Sequence, residues 1–166
     1  NTTALASGDV IPNIAAEPFY QWFIWIGGAG STIGLAILLA FRTKSEFGSK
    51  LGKTALIPAI FNINEPLIFG TPIVLNPILI PPFIIAPLVN GVIAWVATSA
   101  GLVNKVTVNA PWTLPGPIGA FLATGGDWRA IVLNILLIVL SILIYYPFVK
   151  IYDKNELEKE NQPVTE

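Results

Sequence analysis

Between residues 54 and 104 the chain carries a single charged side chain, Glu65. Further uncharged stretches cover residues 18–41, 106–126 and 130–149. A soluble core does not need uncharged runs of this length, whereas about 20 apolar residues in a helix can cross a bilayer. The composition agrees, since 54% of the residues are hydrophobic and 11% are charged, against roughly 25% charged in soluble domains. The sequence therefore predicts an all-α integral membrane protein.

The composition also limits the chemistry. Nine Lys and Arg against ten Asp and Glu give a formal net charge of −1, which favours no nucleic-acid partner. The chain contains neither cysteine nor histidine, so thiolate and imidazole ligands and a His general base are unavailable within it. No Gly-rich phosphate loop or nucleophile triad occurs in it. We therefore expect no cofactor, no metal site and no catalytic residue that could phosphorylate a hydroxyl.

Three segments are predicted to span the bilayer as helices, namely residues 19–41, 78–103 and 130–149. The first is about 23 residues long, enough for roughly 30 Å of hydrocarbon at 1.5 Å per residue. Its glycines, within residues 27–34, predict a smooth face for close helix packing. The tyrosine pair at 145–146 is placed to anchor the third span at a membrane interface.

Half of the 14 prolines fall between residues 58 and 87. A proline inside a helix removes a backbone hydrogen bond and clashes with the preceding turn. Irregular backbone at membrane depth persists only where it is buried in protein or faces water. We therefore interpret residues 55–75 as a Pro-broken re-entrant hairpin with its tip at residues 64–66. Residues 109–126, which are interrupted by glycine and proline, predict a second short entering loop.

The positions of the cations predict an orientation. Residues 42–53 carry four cations and one acid, so the positive-inside rule makes this loop cytoplasmic. If the hairpin returns to its own side, seven of the nine Lys and Arg lie inside, whereas a full crossing of residues 55–75 places the C-terminal tail opposite the basic loop and lowers this asymmetry. The count favours the hairpin and predicts an exposed, cytoplasmic C-terminal tail over residues 150–166.

A lone acid in an apolar stretch needs a physical reason, because an ionised carboxylate away from water costs several kcal/mol unless it is paired or hydrogen-bonded. Glu65 follows Asn64 at a predicted helix break, the outline of the broken-helix binding sites of transporters. A carboxylate can accept hydrogen bonds from two neighbouring hydroxyls, and a carboxamide adds a donor and an acceptor, so the pair suits a sugar. Trp112 is the candidate aromatic ring for the sugar's apolar face. Asn62, in the same turn, is a further candidate contact.

Each of these side chains also has a purely structural interpretation. Glu65 could be a neutral or capped acid that braces the hairpin, Trp112 an interface anchor, and Asn62 a partner for freed backbone groups. For the whole protein the residues leave three functions open. These are a sugar permease, a proton-coupled or facilitative transporter in which Glu65 titrates, and a structural membrane subunit without a ligand.

A family resemblance narrows these alternatives. Residues 61–77, FNINEPLIFGTPIVLNP, and residues 82–90, PFIIAPLVN, resemble the membrane component (enzyme IIC) of the lactose/cellobiose/diacetylchitobiose-type sugar phosphotransferase system. Residues 26–35, IGGAGSTIGL, and residues 111–113, PWT, also resemble that family, so the similarity covers nearly the whole chain. The resemblance implies the C-terminal part of a longer subunit whose N-terminal half is absent.

The resemblance implies a multi-pass permease of the bacterial inner membrane that binds a disaccharide and presents it at the cytoplasmic side. There a phosphocysteine on the partner subunit IIB, supplied indirectly by IIA, would phosphorylate the sugar. By motif, Asn64 and Glu65 would bind the sugar, with Trp112 as a looser match. The family also uses a histidine in the sugar site, so either it lies upstream of Asn1 or the site in this chain is incomplete. The implied homodimer is formed mainly by the N-terminal half.

Overall fold

The computed structural model describes residues 1–162 of the chain, and within them the structure consists of helices and connecting segments without a strand. The helices, in chain order, are α1 Thr2–Ser7, α2 Glu17–Phe19, α3 Ile33–Arg42, α4 Glu46–Ile60, α5 Glu65–Gly70, α6 Ile80–Ser99, α7 Gly116–Ala123 and α8 Trp128–Glu160. α2 continues directly into a π-helical turn, Tyr20–Ile24, and a 3-10 turn, Ile73–Leu75, follows α5. The all-α prediction is confirmed.

Two of the described helices, α6 and α8, are long and apolar enough to cross a membrane. They have 20 and 33 residues, or roughly 30 and 50 Å at 1.5 Å per residue. The prolines at 81–82 lie at the start of α6, where a missing N–H removes no helical hydrogen bond. Pro87 is accommodated inside the same helix.

The expectation of one unbroken helix over residues 19–41 is wrong. Residues 25–32, which we call the glycine segment, separate the π turn from α3. Within this segment Gly27, Gly28 and Gly30 have positive φ angles of 77°, 100° and 81°. Glycine costs about 1 kcal/mol in a helix relative to alanine and reaches positive φ without a Cβ clash. The glycines therefore interrupt the helix, and they also allow neighbouring parts of the protein to approach the backbone closely.

α8 packs against α3, α6 and α7, and α3 also packs against α4. The buried face of α8 includes Leu133, Leu137 and Tyr145. Tyr145 is fully buried and donates a hydrogen bond from its hydroxyl to the carbonyl of Gly30 at 2.8 Å. The predicted interface anchor is therefore a core contact in this structure, whereas the neighbouring Tyr146 is exposed.

The tail predicted over residues 150–166 also needs correction. Most of residues 150–160 are exposed, but they are helical as the end of α8 and include the buried Tyr152 and Asp153, and residues 163–166 lie outside the described residues. The predicted basic loop at 42–53 is largely the first half of α4. These two segments are in contact, because Glu160 accepts hydrogen bonds from the first backbone N–H groups of α4.

A second link between the two segments is the buried carboxylate of Asp153, which lies beyond the apolar part of α8. It accepts hydrogen bonds from the backbone N–H groups of Lys44 and Ser45 at 2.9 to 3.1 Å. Burial by itself raises the pKa of Asp153, but these hydrogen bonds outweigh it, and the pKa lies below the ordinary value. The carboxylate therefore stabilises the start of α4 at neutral pH, and this contribution is lost only as the pH falls through the lowered pKa.

The hairpin region consists of α4, a turn at residues 61–64, and α5. The turn is closed by the N–H of Ile63, which donates to the carbonyl of Pro58 at 3.0 Å. Pro66 lies in the first turn of α5, where proline is well tolerated. The re-entry of residues 55–75 into a membrane remains a prediction. The second predicted loop contains the eight-residue helix α7.

Replacing Asp153 by alanine should lower the stability of the full-length protein. The hydrogen bonds from two backbone N–H groups to a charged acceptor would be lost, at a cost of about 2 kcal/mol. Thermal unfolding in detergent at pH 7 measures the effect, with Glu158→Ala as the matched control. Glu158 is an exposed acid on the same helix whose ion partner, Lys154, is 4.0 Å away. Equal melting temperatures for the two variants would contradict the role of Asp153.

Candidate functional site

The glycine segment is mostly buried, and its freed backbone groups find partners within the protein. The hydroxyl of Thr32 donates to the carbonyl of Gly27 at 2.9 Å. The hydroxyl of Ser31, a residue with φ of 52°, donates to the carbonyl of Ile24. These local hydrogen bonds hold the backbone in an irregular conformation, including a positive φ that non-glycine residues rarely adopt.

Side chains from α6 and α8 reach the same segment. Asn90 of α6 donates through Nδ2 to the hydroxyl of Ser31 at 3.1 Å. Ser141 of α8 donates to the carbonyl of Ser31, as Tyr145 does to that of Gly30. The glycine segment is therefore bonded to both long helices.

Asn62, at the turn between α4 and α5, joins three parts of the chain. Its Oδ1 accepts a hydrogen bond from the N–H of Gly27 at 3.1 Å. Its Nδ2 donates to the carbonyls of Trp112 and Leu114 at 2.8 and 3.0 Å. Asn62 itself has φ of 62°, a left-handed conformation in which asparagine is enriched. Both of its amide hydrogens are thus already engaged.

Asn64, two residues later, is 6% exposed and immediately precedes α5. Its Nδ2 donates to the carbonyl of Ala29 at 2.8 Å and to the hydroxyl of Thr32 at 2.9 Å. Among the hydrogen bonds of residues 1–162, none ends on Asn64 Oδ1. The orientation of this amide is therefore set by the glycine segment, while its oxygen remains able to accept.

A cleft of about 300 Å³ opens where these segments meet. It is lined by Gln21, Trp25, Gly28, Ala29, Asn62, Asn64 and Trp112. The indole of Trp112 is 57% exposed and that of Trp25 is 43% exposed. The cleft thus combines two accessible aromatic rings with amide groups, which can together contact the apolar face and the hydroxyls of a sugar ring.

The structure brings together three of the four predicted site residues, Asn62, Asn64 and Trp112. Glu65 is exposed as the first residue of α5 and does not line the cleft. Its carboxylate makes no hydrogen bond with the part of the chain that the structure describes, so it is open to groups outside these residues. In residues 1–162 no cluster of three Asp, Glu, His or Cys side chains suitable for a metal is present.

Gln21 and Trp25 are cleft residues that the sequence analysis missed. Their signal was the aromatic and polar run YQWFIW at residues 20–25, directly before the glycines. Because a continuous spanning helix was predicted there, neither side chain was predicted as a site residue. The chain leaves the helix after Ile24, and this is what places Trp25 beside the cleft.

The fold and the cleft define an all-α protein whose candidate site lies at broken helices, the arrangement typical of membrane transporters. A family model described as "Phosphotransferase system, EIIC" matches residues 1–87, more than half of the chain. The chain belongs to this EIIC family, the membrane permease components of sugar phosphotransferase systems. It is therefore an integral membrane protein, as the sequence predicted.

Individual relatives agree with this assignment. The lichenan permease IIC component of Bacillus subtilis (strain 168) is 43% identical over 162 residues, covering 97% of this chain and 36% of the relative. The lactose-specific EIICB component of Staphylococcus aureus (strain N315) is 38% identical over 160 residues, covering 96% of this chain and 28% of the relative.

The fold is also that of a solved transporter. The crystal structure of ChbC, the IIC component from the N,N'-diacetylchitobiose-specific phosphotransferase system, superimposes with a TM-score of 0.93 and 34% identity. The match covers 98% of this chain and 38% of ChbC. The chain spans roughly a third of the length of the relatives it matches.

Gly28→Ala should lower the stability of the protein by more than the cost of backbone strain alone. A Cβ at Gly28 would overlap the side-chain amide of Asn64, whereas a Cβ at Gly101, which also has positive φ, would meet nothing within 4 Å. Both variants carry roughly 1–2 kcal/mol of left-handed backbone strain, so Gly101→Ala is the matched control. Thermal unfolding of the full-length variants should show the larger loss for Gly28→Ala. Equal losses would mean that Asn64 tolerates displacement.

Proposed function

We propose that the chain is the substrate-binding, C-terminal part of a permease that binds a disaccharide and carries it across the bacterial inner membrane, coupled to its phosphorylation by the phosphorylated IIB partner. The observation that carries this proposal is the cleft in which Asn64 and Trp112 meet, directly beside the start of α5. The names of the relatives, which refer to lichenan, lactose and N,N'-diacetylchitobiose, support a sugar as the substrate.

Asn64 is the central polar contact in this proposal. Its amide nitrogen is held by the glycine segment, and this leaves Oδ1 to accept a hydrogen bond from a sugar hydroxyl. The exposed ring of Trp112 would pack against the apolar face of the sugar. Asn62 has both amide hydrogens engaged, so its role is to position Trp112 and the glycine segment.

Glu65, which lies beside the cleft at the start of α5, would contribute a further contact with the sugar. An ionised carboxylate can accept hydrogen bonds from two adjacent hydroxyls, and such charge-assisted bonds are the strong ones. Because the chain spans roughly a third of its relatives, the missing part would close the site around Glu65. The family histidine is expected there, since this chain has none.

The proposed orientation places the C-terminus in the cytoplasm. The contacts of Asp153 and Glu160 with the start of α4 hold the C-terminal part of α8 beside the basic segment 42–53. Both therefore belong to one side, and the positive-inside rule makes that side cytoplasmic. IIB, whose phosphoryl group is supplied by way of IIA, would approach the bound sugar from the cytoplasm. We expect the full-length permease to be a homodimer joined mainly by its N-terminal half.

Glu65→Gln should weaken disaccharide binding to the full-length protein by about 10- to 100-fold, since one hydrogen bond to a charged group is worth roughly 1.5–3 kcal/mol. Asn64→Ala should weaken binding similarly, whereas Glu46→Gln, at the opposite end of α4, should not. Calorimetric titration with cellobiose, lactose and diacetylchitobiose measures the three variants. If Glu65→Gln binds every sugar as tightly as the parent, the assignment of Glu65 is wrong.

The coupling of sugar transport to phosphorylation is tested separately, in proteoliposomes that contain the full-length permease. Sugar phosphate should appear only when phosphorylated IIB is supplied, because this chain contains neither a cysteine nor a histidine to carry a phosphoryl group. Uptake of unmodified sugar that depends on a pH gradient alone would instead indicate a proton-coupled transporter. Absence of both uptake and sugar binding would indicate a structural subunit.

A further inference from the structure

A larger cavity lies in another part of the molecule, where the end of α3 faces the second half of α8. Its volume is about 520 Å³, within the range of small-molecule sites of about 300–1,000 Å³. Its walls come from residues 38–44 and from residues 146–157. None of the cleft residues lines it, so it is distinct from the proposed sugar site.

Four cationic side chains line this cavity, namely Arg42, Lys44, Lys150 and Lys154. All four residues are exposed. Within residues 1–162 the side chains of Arg42, Lys44 and Lys150 take part in no ion pair, and Lys154 has only a 4.0 Å contact with Glu158. The cavity therefore concentrates positive charge that its neighbours leave largely unpaired.

Asp153 is the one acid among the residues that line the cavity. It is 8% exposed, and both carboxylate oxygens accept hydrogen bonds from the backbone N–H groups of Lys44 or Ser45. These bonds turn the carboxylate towards the start of α4. One engaged acid against four cations leaves the cavity with a net positive lining, which favours an anionic ligand.

Apart from Thr43, the remaining residues of the wall are aliphatic or aromatic. Leu38 and Val149 are buried, while Phe41 is 69% exposed and Tyr146 is 44% exposed. The cavity also lies at the end of the apolar stretch 130–149, where a membrane surface is expected. Apolar side chains on one part of the wall and cations on the other match the acyl chains and the phosphate of a phospholipid.

We infer that this cavity binds an anionic phospholipid, with the phosphate held by Arg42, Lys150 and their cationic neighbours and the acyl chains lying along Phe41 and Tyr146. This site is independent of the sugar site, so either assignment can fail without the other. The lipid would link the ends of α3 and α8 at the membrane surface. Arg42 is the last residue of α3 and Lys150 belongs to α8, so a phosphate held by both side chains would bridge the two helices.

The test uses the full-length protein in detergent and measures lipid binding by native mass spectrometry. The probes are phosphatidylglycerol, phosphatidylcholine with the same acyl chains, and inorganic phosphate. The variant is Arg42→Gln/Lys150→Gln, and the matched control is Lys50→Gln/Lys53→Gln. The control removes the same formal charge from the same basic region, but neither residue lines the cavity.

Each cation near an anionic lipid surface is worth about a fivefold change in affinity, so the cavity variant should bind phosphatidylglycerol roughly 20- to 30-fold more weakly. The affinity of the control variant for phosphatidylglycerol should stay within about twofold of the parent's, because the charges that it removes lie outside the cavity and are screened by salt. Phosphatidylcholine should bind more weakly than phosphatidylglycerol, and inorganic phosphate should not displace the lipid. Disaccharide affinity should be unchanged in both variants.

Four results would overturn the inference. Equal losses in both variants would indicate diffuse attraction to the basic region, and equal binding of the two lipids would remove the role of the anionic headgroup. Displacement by inorganic phosphate at equal concentration would indicate a free-anion site. If the parent protein binds no phosphatidylglycerol while the cavity variant binds purified IIB less well, the cavity is a protein-docking surface.

Discussion

The backbone groups freed by the break at residues 25–32 need partners inside the protein, because a bilayer offers none. Those partners come from distant parts of the chain: the turn before α5 supplies Asn62 and Asn64, and α8 supplies Ser141 and Tyr145. Asn90 of α6 adds a hydrogen bond to the hydroxyl of Ser31. An unpaired buried polar group costs about 1–3 kcal/mol. The packing of the helices around the glycine segment is therefore constrained by hydrogen bonds as well as by apolar contact.

The same hydrogen bonds build the candidate site. Asn64 is oriented because its amide nitrogen is bonded to Ala29 and Thr32, and Asn62 holds the loop that carries Trp112. A binding site gains precision when its contact groups are held by a supporting layer of bonds. In this protein the supporting layer is the unwound segment itself, so the stability of the break and the geometry of the cleft depend on the same contacts.

The errors of the sequence analysis have identifiable physical causes. Hydropathy locates apolar segments but does not say whether the backbone within them is helical, so the break at 25–32 and the cleft residues Gln21 and Trp25 were missed. Charge density predicted an exposed tail after residue 150, but the buried Asp153 is satisfied by backbone N–H groups that are distant in sequence and lie just before α4. Tyr145 was misplaced for a similar reason, since its hydrogen-bond partner, Gly30, is distant in sequence.

The sequence by itself determined the class of protein, the approximate positions of α6 and α8, and a helix break near residues 61–66. These conclusions follow from the lengths of the uncharged stretches, the positions of the prolines and one isolated acid. Each of these features affects the structure of the segment in which it occurs. Only the tertiary structure decided which asparagines are already bonded, that Glu65 stands beside the cleft instead of lining it, and that two cavities of different character exist. Such features depend on pairs of groups far apart in sequence, and their hydrogen bonds leave no periodic pattern along the chain.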